Sequence, residues 1–338
     1  MTQSLKNRFS LALRVTLAAL IMGLLFRIAG WDALRVAFME TRWSWMIAVY
    51  LVAIASILVN AALLRFLMKS TGLEVGFGRV LLAKAQATFV SLILPGDMFA
   101  GAAKWANLSA ATGDRAGVLS AMVFSKVALA VPPLVIGSIA LTRNNPFPET
   151  GISGVAAAVA VVVLVVTVLM LHRTSGRFVD ELMLAASRKM PLPLRSGAQG
   201  LVTAVRELRT MRLSGYLVTA ALSLIVFGLA ILGIFFAAKA VDITVPVTAF
   251  FWVIMFLFIS RLLPLTVGNI GVREGILVLS FGLYGIEPAT AILVGLLMFS
   301  SVIIVGVIGA AYQVAVAMGW LEWTRDHHKR NRAEVTPP

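Results

Sequence analysis

Arg273 and Glu274 stand side by side in a setting where charge is expensive. Residues 261–274 read RLLPLTVGNIGVRE, with FFWVIMFLFIS before them and GILVLSFGLYGI after them. An arginine offers a planar fork for a phosphate or carboxylate, and a carboxylate offers a base or a proton carrier. Charge in hydrocarbon costs roughly 2.5–3.5 kcal/mol on insertion scales, so residues such as Arg261, Arg273 and Glu274 are expected to face a cavity or a partner. Pro264, Gly268, Gly271 and Gly275 interrupt the helical pattern, and broken backbone at membrane depth is tolerated only where protein or water satisfies it.

A second stretch has the same character. LPGDMFAGAAK carries Pro95, Gly96 and Asp97, with Lys104 nine positions after the proline, as Arg273 is nine after Pro264. Lys126 lies inside a later apolar run. These residues allow a specific chemistry: Arg273 and Lys104 gripping a lipid phosphate, the half-helix N-termini adding their dipoles, and Asp97 or Glu274 carrying a coupled proton. The competing reading is structural. Neighbours on a helix point about 100° apart, so Arg273 and Glu274 are expected to find different partners: Asp97 with Lys104 or Arg273, and Glu274 with Arg261. Asn269 is expected to support a left-handed turn, Asn60 to bond a neighbouring helix, and Lys84 to snorkel at a membrane edge.

The elements that position these residues follow from composition. The 338 residues are 60% hydrophobic and 13% charged, with mean hydropathy +0.95. Long unbroken apolar runs point to a polytopic helical membrane protein, and they lack the alternation of a membrane β-barrel. The net charge of +14 sits in short segments between the runs, the pattern of cytoplasmic loops and anionic lipid contact; a nucleic acid is not expected. Cysteine is absent and the three histidines lie in loops or the tail, so neither thiolate chemistry nor a metal or other cofactor is expected.

In order, the reading gives a retained first helix over 9–28, an interfacial segment over 30–42 and a span over 43–64. Two pieces over 80–94 and 99–111, too short to cross, form a re-entrant hairpin. Spans follow over 116–141 (kinked at Pro132–Pro133), 152–171 and 213–238. A second hairpin over 250–263 and 275–286 and a last span over 289–312 complete the chain. Span, hairpin, span repeats over about 43–141 and 213–312, and MVFSKV at 122–127 matches LMFSSV at 297–302. The positive-inside rule puts both termini, 65–79 and the basic loop 173–212 with its surface helices in the cytoplasm. The two copies then have inverted topology, an architecture of transporters. The expectation is one integral domain over 1–318, six full spans, two opposed hairpins and a basic tail over 319–338.

PLTVGNIGVRE followed by GLYGIEPATA resembles the second signature of the lysylphosphatidylglycerol synthase transmembrane-region family, with Pro264, Gly268, Gly271, Val272, Arg273 and Glu274 in place. LPGDMFAGAAK resembles the first signature, with Lys104 where arginine is usual and Ser125–Lys126 where the family often has Glu-Arg. The resemblance implies a flippase-like domain of the inner membrane, related to that of multiple peptide resistance factors but without their synthase domain. It would handle an anionic phospholipid or lipid-linked precursor. The chain has no P-loop, so movement would be downhill or ion-coupled. A membrane-embedded headgroup enzyme, or a scaffold docking a soluble biosynthetic enzyme through 173–212, stays open as an alternative, as does self-association. A transporter requires polar groups of both halves on one cavity; a scaffold requires charges that pair off with no cavity left.

Overall fold

The computed structural model describes residues 22–93, 97–144, 151–171, 211–262 and 269–318, with positions 16, 20, 146, 181 and 185. The described residues form helices and their connecting turns, without a strand. After a helical stretch over 22–29 come α1 (Trp31–Met39), α2 (Ser44–Ser70), α3 (Phe77–Ile93), α4 (Asp97–Thr112), α5 (Arg115–Arg143), α6 (Ile152–Leu171), α7 (Leu213–Ala240), α8 (Val247–Leu262), α9 (Val272–Gly282) and α10 (Pro288–Ala317). Within these, Ser44–Ser70, Arg115–Arg143, Leu213–Ala240 and Pro288–Ala315 are long and apolar enough to cross a membrane. At 1.5 Å per residue α3, α4, α8 and α9 extend only about 16–26 Å, short of the ~30 Å hydrocarbon core. Most of the expected first span, most of the basic loop 173–212 and the tail from 319 lie outside the described residues.

Local chemistry sets the helix ends. Asp114 caps α5, its carboxylate accepting from the amides of Ala116 and Gly117, both at 3.0 Å. Pro132 and Pro133 sit inside α5. The break between α8 and α9 ends at Asn269, in the left-handed region at φ 60°, and Gly271 at φ 84°. Pro95, Gly96, Pro264 and Gly268 lie outside the described residues.

The turn leaving α2 and the turn leaving α7 are built alike. Leu73 donates to the Met68 carbonyl at 2.9 Å and Ile243 to Ala238 at 2.9 Å. Thr71 and Val241 donate to the same carbonyls at 3.1 and 3.2 Å. Gly72 at φ 80° and Asp242 at φ 59° take the left-handed step that closes each helix. Residues 68–73 thus recur at 238–243, a shift of 170. After α4 and α9 the left-handed residues are Gly113 and Gly285, a shift of 172.

This correspondence extends to packing. Helix α3 packs on α10 and α8 packs on α5, so each half lays a short helix on the other half's last long one. A Cβ at Gly137 of α5 would lie 2.5 Å from the Met255 Cβ, and one at Gly309 of α10 would overlap the Ala85 carbonyl. Residue 85 becomes 255 by the first shift and 137 becomes 309 by the second, so the two close approaches are the same contact made twice. This fixes the register that the match of MVFSKV with LMFSSV missed by three residues; apolar helices align in several registers, whereas a turn and a glycine contact admit one.

The two halves run in opposite senses. The start of α2 meets the end of α7: the Arg42 amide donates to the Ala240 carbonyl at 2.7 Å, Arg42 pairs with Asp242 at 2.9 Å, and Trp45 stacks on Phe236. The turn 71–76 therefore lies on one face of the bundle and the turn 241–246 on the other, separated by the 27 residues of α2, about 40 Å. Two apolar clusters form the core: one of first-half residues including Leu63, Leu64, Leu67 and Leu108, and a larger one in which Met46, Val49 and Leu141 of the first half join Trp252, Phe250, Phe281 and Leu293 of the second.

Gly137→Ala and Gly309→Ala are each expected to lower stability by about 1–3 kcal/mol, the usual cost of overpacking. Gly228→Ala, where a Cβ meets nothing within 4 Å, is expected to be neutral or slightly stabilising. Thermal unfolding midpoints in detergent check all three.

Candidate functional site

Arg273 and Glu274 form a buried charged pair. Glu274 is 0% and Arg273 4% exposed. The Arg273 Nε and Nη2 both donate to Glu274 Oε1, the first at 2.9 Å. Glu274 Oε2 accepts from the Gly271 amide at 2.6 Å, so the carboxylate turns back over the first turn of α9 and occupies its N-terminus. Gly295 of α10 makes room for it; a Cβ there would lie 2.9 Å from the Glu274 Cγ. On its other side the guanidinium lies 5.0 Å from the Phe299 ring centre, close enough for cation–π attraction.

Two expectations are corrected here. Arg273 and Glu274 pair with each other: the 100° separation holds for their Cα–Cβ directions, and a long arginine side chain bends across it. The α9 N-terminus is not open to a lipid phosphate, because Glu274 fills it. Asn269 bonds sideways, its Nδ2 donating to Ser260 Oγ at 2.9 Å.

Arg273 borders a cavity of about 600 Å³ between the halves. Each helix contributes one stripe. From α2 come Ser56 and Asn60, from α3 Lys84, Thr88 and Ser91, and from α8 Ile254, Phe258 and Arg261. Lys104 of α4, Lys126 of α5, Asn269 before α9 and Ser301 of α10 complete the polar lining with Arg273. Glu274 does not line it, and no described lining residue is aspartate, glutamate or histidine. Asp97 opens α4, but its side chain lies outside the described set. Five basic groups thus converge: Lys84, Lys104, Lys126, Arg261 and Arg273.

Lys84 was not among the expected site residues. Its Nζ donates to Asn60 Oδ1 at 3.0 Å, while Asn60 Nδ2 holds the Ser56 carbonyl at 3.1 Å. Lys84 is partly buried on the cavity stripe of α3. It therefore does not reach outward as an edge lysine would. The signal available in the sequence was the polar spacing Lys84, Thr88, Ser91 on one face of a short helix. Lys104, Lys126 and Arg261 each have further partners within the protein.

The cavity backbone obeys the exchange of halves and its charges do not. Lining positions 84, 87, 88 and 91 of α3 recur at 254, 257, 258 and 261 of α8, and 126, 129 and 133 of α5 recur at 298, 301 and 305 of α10. Yet Lys84 stands opposite Ile254, Lys126 opposite Met298 and Arg261 opposite Ser91. In the same register Arg273 corresponds to Gly101 and Lys104 to Ile276, so the two cations do not occupy equivalent places as their distances from the prolines suggest.

These features define a class: a helical membrane protein whose two opposed halves enclose a cationic cavity. The family model for the lysylphosphatidylglycerol synthase TM region matches residues 11–310, and the chain belongs to that family. Membership ties it to the handling of membrane lipid. No match was found among curated proteins or among solved structures.

Removing Glu274 alone leaves a buried guanidinium without its anion, which costs about 3–5 kcal/mol. Glu274→Ala is expected to lose that much stability. The double variant Arg273→Ala with Glu274→Ala is expected to recover at least half of it, as read by thermal unfolding in detergent.

Proposed function

We propose that this protein binds the headgroup of an anionic membrane lipid in the central cavity and moves it between leaflets. The observation that carries the reading is the cavity itself, walled by both halves and lined by five cations with no described carboxylate. Basic groups at membrane depth are costly unless they serve a ligand or a pathway, and arginine and lysine are the common phosphate binders. The volume falls in the ~300–1,000 Å³ range of small-ligand sites. It takes a headgroup and leaves the acyl tails in the bilayer.

In this reading α3–α4 and α8–α9 are re-entrant hairpins that enter from opposite faces, and the positive-inside rule puts the 71–76 face in the cytoplasm. The reciprocal packing of α3 on α10 and α8 on α5 supports alternating access, since rocking one half against the other exchanges equivalent contacts. Glu274 acts as the fixed anion that holds Arg273 at the wall. The described lining holds no carboxylate or imidazole to act as the general base of headgroup chemistry.

Translocation of a labelled phosphatidylglycerol in proteoliposomes tests this. The wild type is expected to move the lipid, and Lys126→Gln, at an exposed position on the cavity wall, to slow it by about ten-fold, the effect of roughly 1.4 kcal/mol. Arg273→Ala with Glu274→Ala is expected to abolish movement while the protein stays folded. Equal rates with and without protein would refute the proposal.

A further inference from the structure

Lys84 is held in place by a neutral group. It stands seven residues into α3 from the 71–76 face, about 10 Å in at 1.5 Å per residue, and is partly buried on the cavity wall. A lysine at that depth reaches outward for water or headgroups unless something holds it. Asn60 of α2 holds it. The Asn60 Nδ2 donates to the Ser56 carbonyl of its own helix at 3.1 Å, which fixes the amide and leaves Oδ1 for α3. Lys84 Nζ donates to that oxygen at 3.0 Å. An ammonium carries three donors, and the amide oxygen takes one of them without adding charge. Arg273 is treated differently, since its fork closes on the Glu274 carboxylate. Among the described residues no carboxylate pairs with Lys84.

The exchange of halves shows what the frame needs at these positions. By the shift of 170, Lys84, Asn60 and Ser56 correspond to Ile254, Ala230 and Val226, which also line the cavity. The second half thus packs α7 against α8, as α2 packs against α3, with hydrocarbon in all three places. The fold does not require a polar pair there, and a cation at membrane depth is costly without a ligand or a pathway to serve.

We propose that Lys84 is the residue that takes a phosphate oxyanion in the cavity, and that Asn60 is the positioning residue that aims it. This rests on the reading of the cavity as a headgroup site and names the group that grips the phosphate. Two N–H donors of the ammonium are left by the bond to Asn60, and an oxyanion accepts them in charge-assisted hydrogen bonds, roughly twice as strong as neutral ones. A carboxylate at position 60 would aim the lysine equally well, but it would satisfy the charge from within the protein. The amide orients the cation and leaves its charge to the ligand. Arg273, with Glu274 behind it, has its charge offset before any ligand arrives.

The test uses the full chain in detergent, with short-chain phosphatidylglycerol, diacylglycerol of the same acyl length and inorganic phosphate as probes. Saturable thermal stabilisation reads binding, and the unfolding midpoint without probe reads the fold. Lys84→Ile with Asn60→Ala, which installs the second half's residues, is expected to unfold at or above the wild-type midpoint and to bind phosphatidylglycerol at least about ten-fold more weakly. Asn60→Asp is expected to keep the midpoint and weaken binding by about ten-fold, because it pairs with Lys84. Asn60→Ala alone is expected to cost about three-fold, and Lys84→Arg to stay within about three-fold of the wild type. Diacylglycerol is expected to give no saturable shift. Unchanged phosphatidylglycerol affinity in Lys84→Ile with Asn60→Ala, or in Asn60→Asp, would overturn the proposal and leave the headgroup reading standing. Diacylglycerol binding as tight as that of phosphatidylglycerol would overturn it too. Inorganic phosphate binding as tightly as the lipid, with the same losses in the variants, would keep Lys84 as the oxyanion site and refute the lipid reading. A wild type that saturates with neither phosphate probe would overturn both.

Discussion

The reciprocal seating of each short helix on the other half's last long helix is the constraint on which the architecture depends. Gly309 lets α10 approach the Ala85 carbonyl, and Gly137 lets α5 approach Met255 and the Phe251 carbonyl. Bilayer lipid is as apolar as leucine, so helices in it associate through close packing, and small residues at the contact make that packing available. Because the two contacts are equivalent, neither half completes its packing without the other. The space left between the paired helices is the cavity, and its wall belongs to both halves by construction.

That space is where scaffold and charge part company. The backbone repeats with shifts of 170 and 172 residues, yet the cations occupy unmatched positions, so a nearly symmetric frame encloses an asymmetric set of charges. The buried Arg273–Glu274 pair serves this asymmetry. Glu274 is held on three sides, by Arg273, by the Gly271 amide and by the gap at Gly295. It fixes the guanidinium at the wall while remaining outside the cavity. Phe299 fixes the other side of the same group. A flexible lysine in that place would lack both the fork that grips Oε1 twice and the flat face that meets the ring.

The helical membrane class was legible because runs of Ala, Leu, Val and Ile with few charges admit little else, and four helices have the length and apolarity to cross. The end of the break before Arg273 was legible from Gly271, which precedes α9, whereas Gly275, also expected to interrupt the helix, lies inside it. What escaped the sequence were facts about where long side chains end. Arg273 and Glu274 were separated by a rule about Cβ directions, and their ends meet. Lys84 was assigned to a membrane edge from its distance along α3, yet Asn60 on α2 draws it inward, a contact 24 residues away in sequence that no local pattern records. The register of the repeat was legible only in part, because turn hydrogen bonds at 68–73 and 238–243 define it with different residue types in the two halves, and the shared glycines Gly137 and Gly309 contact different residues, Met255 and Ala85. Pro95, Gly96, Pro264 and Gly268 remain sequence expectations for the two breaks.

The most direct measurement is an experimental density map of the protein in nanodiscs containing phosphatidic acid. The account places a headgroup between Lys84, Lys126 and Arg273, with Glu274 still closed on Arg273 and Gly271. A cavity filled by its own side chains, with lipid density only on the outer surface of the helices, would contradict it.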